Sequence, residues 1–278
     1  MTDLNAVGFA LEELFALRLQ ALSGRWPRMC AHRGLKGKMT QRDKEIAERL
    51  ALVKGTLSQV CTRTQSSVEL VAVSKTFPAE AVLAAALAGQ SIFGENYAQE
   101  GCAKVDWFKE NHPECKLVWH FIGPLQANKT RPVAERFDWV DSVDRLRIAK
   151  RLNDQRPEGL PPLNVLIEVN ISAEESKSGV MPEELQAVAS EIAKLPRLKL
   201  RGLMAIPPAD ADDTATRRFF AEMRELLAKA AARGYENARM NILSMGMSHD
   251  YAAAIAEGAT IVRVGTAIYG ARDYSKKK

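Results

Sequence analysis

The chain has 278 residues, 46% hydrophobic and 26% charged, a globular composition at a size that supports a large core without staples. No run of 18 apolar residues occurs, which excludes a membrane-spanning helix. Four cysteines, Cys30, Cys61, Cys102 and Cys115, stand without a CxxC pair, which argues for a reducing compartment and against a disulfide scaffold or zinc ribbon. The net charge of +5 gathers at the ends: residues 1–38 carry six basic and three acidic side chains, and Lys276, Lys277 and Lys278 close the chain. Residues 39–275 are left at −1, so the body offers no basic face for nucleic acid.

Residues 1–38 stand apart. Val7–Leu22 has the spacing of one amphipathic helix, which Gly24-Arg25-Trp26-Pro27 then breaks. Asp3 precedes the apolar run and the arginines follow it, the reverse of a secretory signal, while Glu12 and Glu13 count against a mitochondrial-type presequence. The segment is expected to be a loosely ordered extension, or to lie upstream of a native start at Met39. Residues 39–273 are expected to form the folded domain and 274–278 a basic tail.

From Thr40 onward one pattern repeats. Gln41–Val60 has helical spacing, with Ile46, Leu50, Val53, Leu57 and Val60 on one stripe. Eight short apolar runs follow and read as strands: Leu70–Ser74, Ser91–Phe93, Leu117–Ile122, Trp139–Val143, Val165–Asn170, Leu200–Ala205, Asn241–Met245 and Thr260–Val264. The stretches between them read as seven helices: Pro78–Ala88, Ala98–Glu110, Gln126–Arg136, Asp144–Asn153, Pro182–Leu195, Ala211–Arg233 and Tyr251–Gly258. Such alternation implies parallel strands with right-handed crossovers, and eight units fit a closed (β/α)8 TIM-type barrel of about 250 residues. An open doubly wound sheet is the alternative. It would be favoured by a glycine-rich phosphate turn after the first strand, where Ser74-Lys75-Thr76-Phe77-Pro78 stands instead.

A barrel gathers its active site at the C-terminal ends of its strands. Those ends carry Lys75, Asn96, His120, Met204, Ser248, Arg263, Gly265 and Thr266. A lysine entering a barrel mouth loses solvent, which lowers its pKa and frees the amine for Schiff-base chemistry; equally, a lysine ending a strand can reach back to water. The Ser244–Ser248 segment and Gly265-Thr266 follow the last two strands, the common phosphate position of such barrels, although glycine and serine are also ordinary turn residues. A phosphate anchor together with a Schiff-base lysine suits pyridoxal 5′-phosphate.

The motifs at these ends are Val71-Ala72-Val73-Ser74-Lys75-Thr76, Phe93-Gly94-Glu95-Asn96-Tyr97-Ala98-Gln99-Glu100 and His120-Phe121-Ile122-Gly123-Pro124-Leu125-Gln126-Ala127-Asn128-Lys129. They continue with Gly202-Leu203-Met204, Ser244-Met245-Gly246-Met247-Ser248-His249-Asp250 and Arg263-Val264-Gly265-Thr266-Ala267-Ile268-Tyr269-Gly270. In this order they resemble the YggS/PROSC pyridoxal phosphate homeostasis proteins, over residues from about Met39 to Gly270. The resemblance implies an alanine-racemase-like barrel without the second β-domain. It implies that Lys75 carries pyridoxal 5′-phosphate as a covalent aldimine, that Ser248, Gly265 and Thr266 form the phosphate cup, and that Arg263 faces the pyridine nitrogen. Asn96 is expected to line the cofactor. For His120 and Met204, cofactor contact and plain core packing stay open.

Two functions compete. A carrier would buffer the cofactor and deliver it to apoenzymes as part of vitamin B6 homeostasis, acting as a cytoplasmic monomer without robust catalysis. A racemase would need a second acid or base opposite Lys75, and none of Tyr97, Tyr235, Tyr251, Tyr269 and Tyr274 is an evident candidate. A Schiff-base aldolase places its lysine on a later strand, whereas Lys75 ends the first. The carrier is the expected function.

Overall fold

The computed structural model describes residues 40–172, 174, 177–208 and 210–271. The expectations for residues 1–38 and for the 274–278 tail lie outside the described residues. Thr40 opens the first helix, α1 (Gln41–Thr64), with a reciprocal cap: its Oγ1 accepts from Asp43 N at 3.2 Å and its own N–H donates to Asp43 Oδ2 at 2.9 Å. The stripe that α1 buries is Ile46, Leu50, Val53, Leu57 and Val60, the five residues its spacing singles out.

Eight strands follow: β1 (Glu69–Val73), β2 (Ile92–Glu95), β3 (Val118–Phe121), β4 (Trp139–Val143), β5 (Leu163–Glu168), β6 (Leu198–Met204), β7 (Ala238–Ser244) and β8 (Ile261–Val264). They pair in chain order, all parallel, and β8 closes on β1 through Glu69↔Ile261 to Ala72↔Val264. The closed sheet settles the choice between barrel and open sheet. The shell is α2 (Ala79–Leu87), α3 (Ala98–Asn111), α4 (Thr130–Arg136), α5 (Leu146–Gln155), α6 (Leu185–Ala193), α7 (Asp213–Ala231), α8 (Tyr251–Ala256) and α9 (Thr266–Tyr269). Helix α1 packs against α2, α8 and α9, so it covers the seam where β8 meets β1.

Departures from the sequence-based expectation are at element ends, β7 for example starting at Ala238 rather than Asn241, and in one added short helix. Pro182 belongs to a turn, with Glu184 N donating to Met181 O at 3.0 Å, and α6 starts three residues later than expected. Helix α4 is preceded by a 3-10 turn over Ala127–Lys129. Helix α9 has no counterpart among the expected helices, because four residues carry no helical period to read.

Alternation along each strand splits its side chains between two layers. Leu70 and Ala72, Phe93, Trp119 and Phe121, Val165 and Ile167, and Val262 and Val264 join the core between sheet and helices. The intervening residues face the barrel interior. Gly202 marks where β6 and β7 approach most closely: a Cβ there would lie 1.9 Å from Ile242 O. Gly202→Ala must therefore push β6 and β7 apart. It is expected to cost at least about 3 kcal/mol, measured as a loss of unfolding free energy in denaturant; a loss below about 1 kcal/mol would mean that the β6–β7 register slides freely.

Candidate functional site

Arg263 fixes the interior of the barrel. It is 4% exposed, its Nη1 donates to Ser244 Oγ at 2.8 Å and its Nη2 to Ala205 O at 3.0 Å. Ser244 Oγ passes the chain on to Asp141 Oδ2 at 3.4 Å, and Asp141 Oδ1 accepts from His120 Nδ1 at 2.9 Å. Asp141 lies on β4 and Ser244 on β7, strands that are not neighbours in the sheet, so this contact crosses the interior. His120 stacks on Trp139 with ring centroids 4.9 Å apart and planes 7° apart, and Arg201 covers Trp139 at 5.2 Å. The barrel interior thus holds a hydrogen-bonded polar network beside aliphatic residues such as Val71, Leu166 and Ile261.

Burial pulls the Arg263 guanidinium down from its ordinary value, and the nearby Asp141, Glu168 and Asp250 carboxyls work against that. Glu168, at the end of β5, is pushed up to about 7, first by burial and then by Asp144, with Arg263 opposing. Near neutrality this carboxyl holds a proton about half the time.

The register then places the expected residues. Val71 on β1 pairs with the inward Arg263 on β8, so Val71 and Val73 share the inward face, and Lys75 follows in the turn after β1. Lys75 is half-buried just past the end of β1. Gly265 sits beside it: a Cβ there would come 3.1 Å from Val73 O. Thr266 is exposed at the start of α9, and half-buried Ser248 lies in the loop after β7, the neighbouring strand. That loop is folded by Asp250 Oδ1, which accepts from Met247 N at 2.5 Å, and by Gly246 O, which accepts from Arg263 N at 3.0 Å. Met204 is fully buried at the end of β6, paired with Glu168 on one side and Ser244 on the other. Asn96 follows β2, backed by Gly123, where a Cβ would lie 2.2 Å from Asn96 O. Ser142 Oγ donates to Gly123 O at 2.5 Å and holds that contact.

The mouth thus brings together Lys75, Arg263, Gly265 and Thr266 at one seam, with Ser248 next to it and Asn96 on the other side of β1. His120 lies deeper, engaged by Asp141. Asp141 and Glu168 are interior polar residues absent from the site expected on sequence, although the aspartate in the apolar Trp139–Val143 run was a usable signal. Ser244, which opens the segment expected at the phosphate, bonds Arg263 and Asp141 inside the barrel. The arrangement fits pyridoxal 5′-phosphate on its own terms. Asn96 Oδ1 is buried and accepts no hydrogen bond among the described residues, and glycine keeps position 265 clear against Val73 at the end of β1.

A family model described as alanine racemase, N-terminal domain, matches residues 50–273. A pyridoxal phosphate homeostasis protein of Vibrio cholerae is 55% identical over 218 residues, covering 78% of this chain and 91% of the relative. The chain belongs to the pyridoxal phosphate homeostasis family. The Escherichia coli K12 protein of that name is 53% identical over 84% of this chain and 99% of its own. Among solved structures, PipY of Synechococcus elongatus with pyridoxal phosphate bound is 37% identical at a TM-score of 0.70, covering 81% of this chain and 100% of that one. Alanine racemase of Corynebacterium glutamicum shares the fold at 19% identity and a TM-score of 0.61, and the chain covers 63% of it. Like that barrel, the chain pairs eight parallel strands with an outer helix shell; among the described residues no second β-domain is present, and no helix is long and apolar enough to cross a membrane.

The raised carboxyl has a pH signature. Below about 4.5, the ordinary value, Glu168 is protonated in both folded and unfolded chains and has no effect on stability. As pH rises from about 4.5 to about 7 the unfolded chain ionises while the folded one resists, so its stability falls and then levels off. Glu168→Gln should remove this decline, gaining up to about 3 kcal/mol over wild type by pH 8 and little at pH 4. Parallel denaturant-unfolding curves for the two proteins across that pH range would contradict the assignment.

Proposed function

We propose that this protein carries pyridoxal 5′-phosphate covalently on Lys75 and hands it to apoenzymes. The observation that carries this reading is the β8–β1 seam. One register sets β1, which Lys75 follows, beside β8, which carries Arg263 and runs on into Gly265 and Thr266, and this adjacency supports the reading. The relatives named for pyridoxal phosphate homeostasis and the PipY complex support the same ligand.

Bound at this seam, the cofactor supplies an aldehyde that can bond an amine reversibly. Lys75 would hold the cofactor through its Nζ, with water released on attachment, and would be freed as an amine when an amine of the acceptor protein took over the aldehyde. No oxidant or reductant is involved. Ser248 and Thr266 contribute hydroxyl donors, and Gly265 lets backbone N–H groups close on the phosphate. Asn96 lines the opposite side of Lys75. His120 and Met204 form the floor, with His120 fixed by Asp141.

Arg263 decides between carrier and racemase. Held by Ser244 and Ala205, the guanidinium keeps a facing pyridine nitrogen unprotonated, which weakens the ring as an electron sink. Two of the tyrosines weighed as a second acid or base are engaged elsewhere. Tyr235 donates to Gln186 Oε1 at 2.8 Å in the helix shell, and Tyr269 packs on Phe77 outside the barrel with centroids 5.1 Å apart. Burial raises the Tyr269 phenol well above its ordinary value, so it is a poor base even where it stands. Incubated with L-alanine in deuterated water, the loaded protein should exchange the Cα proton at least roughly a hundredfold more slowly than a two-base racemase. Turnover near 1 s⁻¹, in the ordinary enzyme range, would overturn the carrier reading.

A further inference from the structure

Lys75 occupies the second position of a tight turn. Ser74 O accepts from Phe77 N at 3.1 Å, and Thr76, the third residue, has φ 69. Turns of this kind favour glycine there, and among the described residues only Gln65 and Thr76 adopt positive φ without being glycine. Such a conformation persists when its surroundings over-determine it. The surroundings here are three charged side chains.

Lys104 Nζ, on α3, donates to Ser74 O at 2.8 Å, so it grips the peptide unit before Lys75. Glu100 Oε1, one turn earlier on α3, accepts from Thr76 N at 2.5 Å and grips the peptide unit after it. The same ammonium reaches Glu95 Oε1 at 2.6 Å and Glu100 Oε1 at 2.8 Å, which directs all three of its hydrogens. Ser74 Oγ donates to Glu95 Oε1 at 2.6 Å and ties the turn to the end of β2. Burial pushes the Glu95 carboxyl up from its ordinary value, with Lys104 and Ser74 pulling the other way. An ion pair serving stability alone would need one carboxylate; this one spends its remaining contacts on the main chain on both sides of a single residue.

We propose that Glu95, Glu100 and Lys104 are positioning residues for Lys75. By clamping both peptide units that flank Lys75 from outside the sheet, they hold its side chain on the inward course that brings the amine into the barrel mouth. The inference rests on Lys75 being the attachment point. Its hydrogen-bond partners are Ser74, Thr76 and one another rather than Ser248, Gly265 or Thr266, and Tyr269 of α9 is the residue after β8 that lies near Glu95 and Ser74. The clamp is therefore assigned to the covalent stage of binding and not to retention of the phosphate.

Two ligands separate those stages. Pyridoxal 5′-phosphate can bond the amine; pyridoxine 5′-phosphate has the same ring and phosphate but an alcohol in place of the aldehyde. Glu100→Ala and Lys104→Met should each weaken pyridoxal 5′-phosphate about tenfold, the drop expected when one Lys75 orientation in ten stays competent. Both should bind pyridoxine 5′-phosphate within about twofold of wild type. Glu100→Gln, which keeps an acceptor for Thr76 N–H, should retain most of the affinity. Equal losses for both ligands, or none for either, would overturn the clamp. Should Lys104→Met fail to fold, Glu100→Ala decides alone, since the Glu100 side chain is 28% exposed and its loss leaves the Lys104–Glu95 pair in place. Lys75→Ala is the control. If it binds pyridoxal 5′-phosphate like wild type, the attachment point is wrong and the clamp falls with it; if it weakens binding while Glu100→Ala does not, only the clamp falls.

Discussion

A guanidinium buried inside a closed barrel has to be satisfied from within, and Arg263 sets that demand here. Leaving such a charge unpaired in a low-dielectric interior costs several kcal/mol, so the strands around it contribute partners. β7 gives Ser244, the end of β6 gives a carbonyl, and β4 gives Asp141. Asp141 in turn fixes His120, which needs a flat neighbour and finds Trp139. From Arg263 to Ser244, Asp141 and His120, each polar residue is explained by the one before it. The chain begins with the residue that also faces the ligand in the proposed function.

The first strand shows how one pleat serves two purposes. Its outward face carries Leu70 and Ala72 into the helix-packed core and then Ser74 into a buried ionic cluster. Its inward face carries Val71 and Val73, and Lys75 follows in the turn. Two lysines consequently meet opposite fates within a short distance. Lys104 is enclosed by Glu95 and Glu100, which accept from its ammonium, whereas Lys75 stands half-buried just past the end of β1. Chemistry and stability are kept apart by the thickness of the sheet.

Much of this was legible in the sequence, because it was periodic. The α1 stripe from Ile46 to Val60 is a 3.6-residue pattern, and the eight apolar runs appear as eight strands with ends shifted by a few residues. Residues at strand ends, including Lys75, Asn96, Arg263 and Gly265, could be assembled once the barrel was assumed. What was not legible is contact between elements distant in the chain. Asp141 and Ser244 are separated by 103 positions, and nothing local in Trp139-Val140-Asp141 says that its partner is a serine on β7. Lys104 lies mid-helix and reads as solvated charge; only the closeness of α3 to the β1 turn turns it inward. Helix α9 and the turn at Pro182 are short features decided by their surroundings.

The claim on which the functional account turns is that Lys75, and not another lysine, is the point of attachment. Loading the protein with pyridoxal 5′-phosphate, reducing it with borohydride and mapping the peptides by mass spectrometry reads this directly. The account predicts one pyridoxyl phosphate adduct, on the peptide containing Lys75, and an absorption band that disappears on reduction. An adduct on Lys104 or on any other lysine, with Lys75 unmodified, would contradict it.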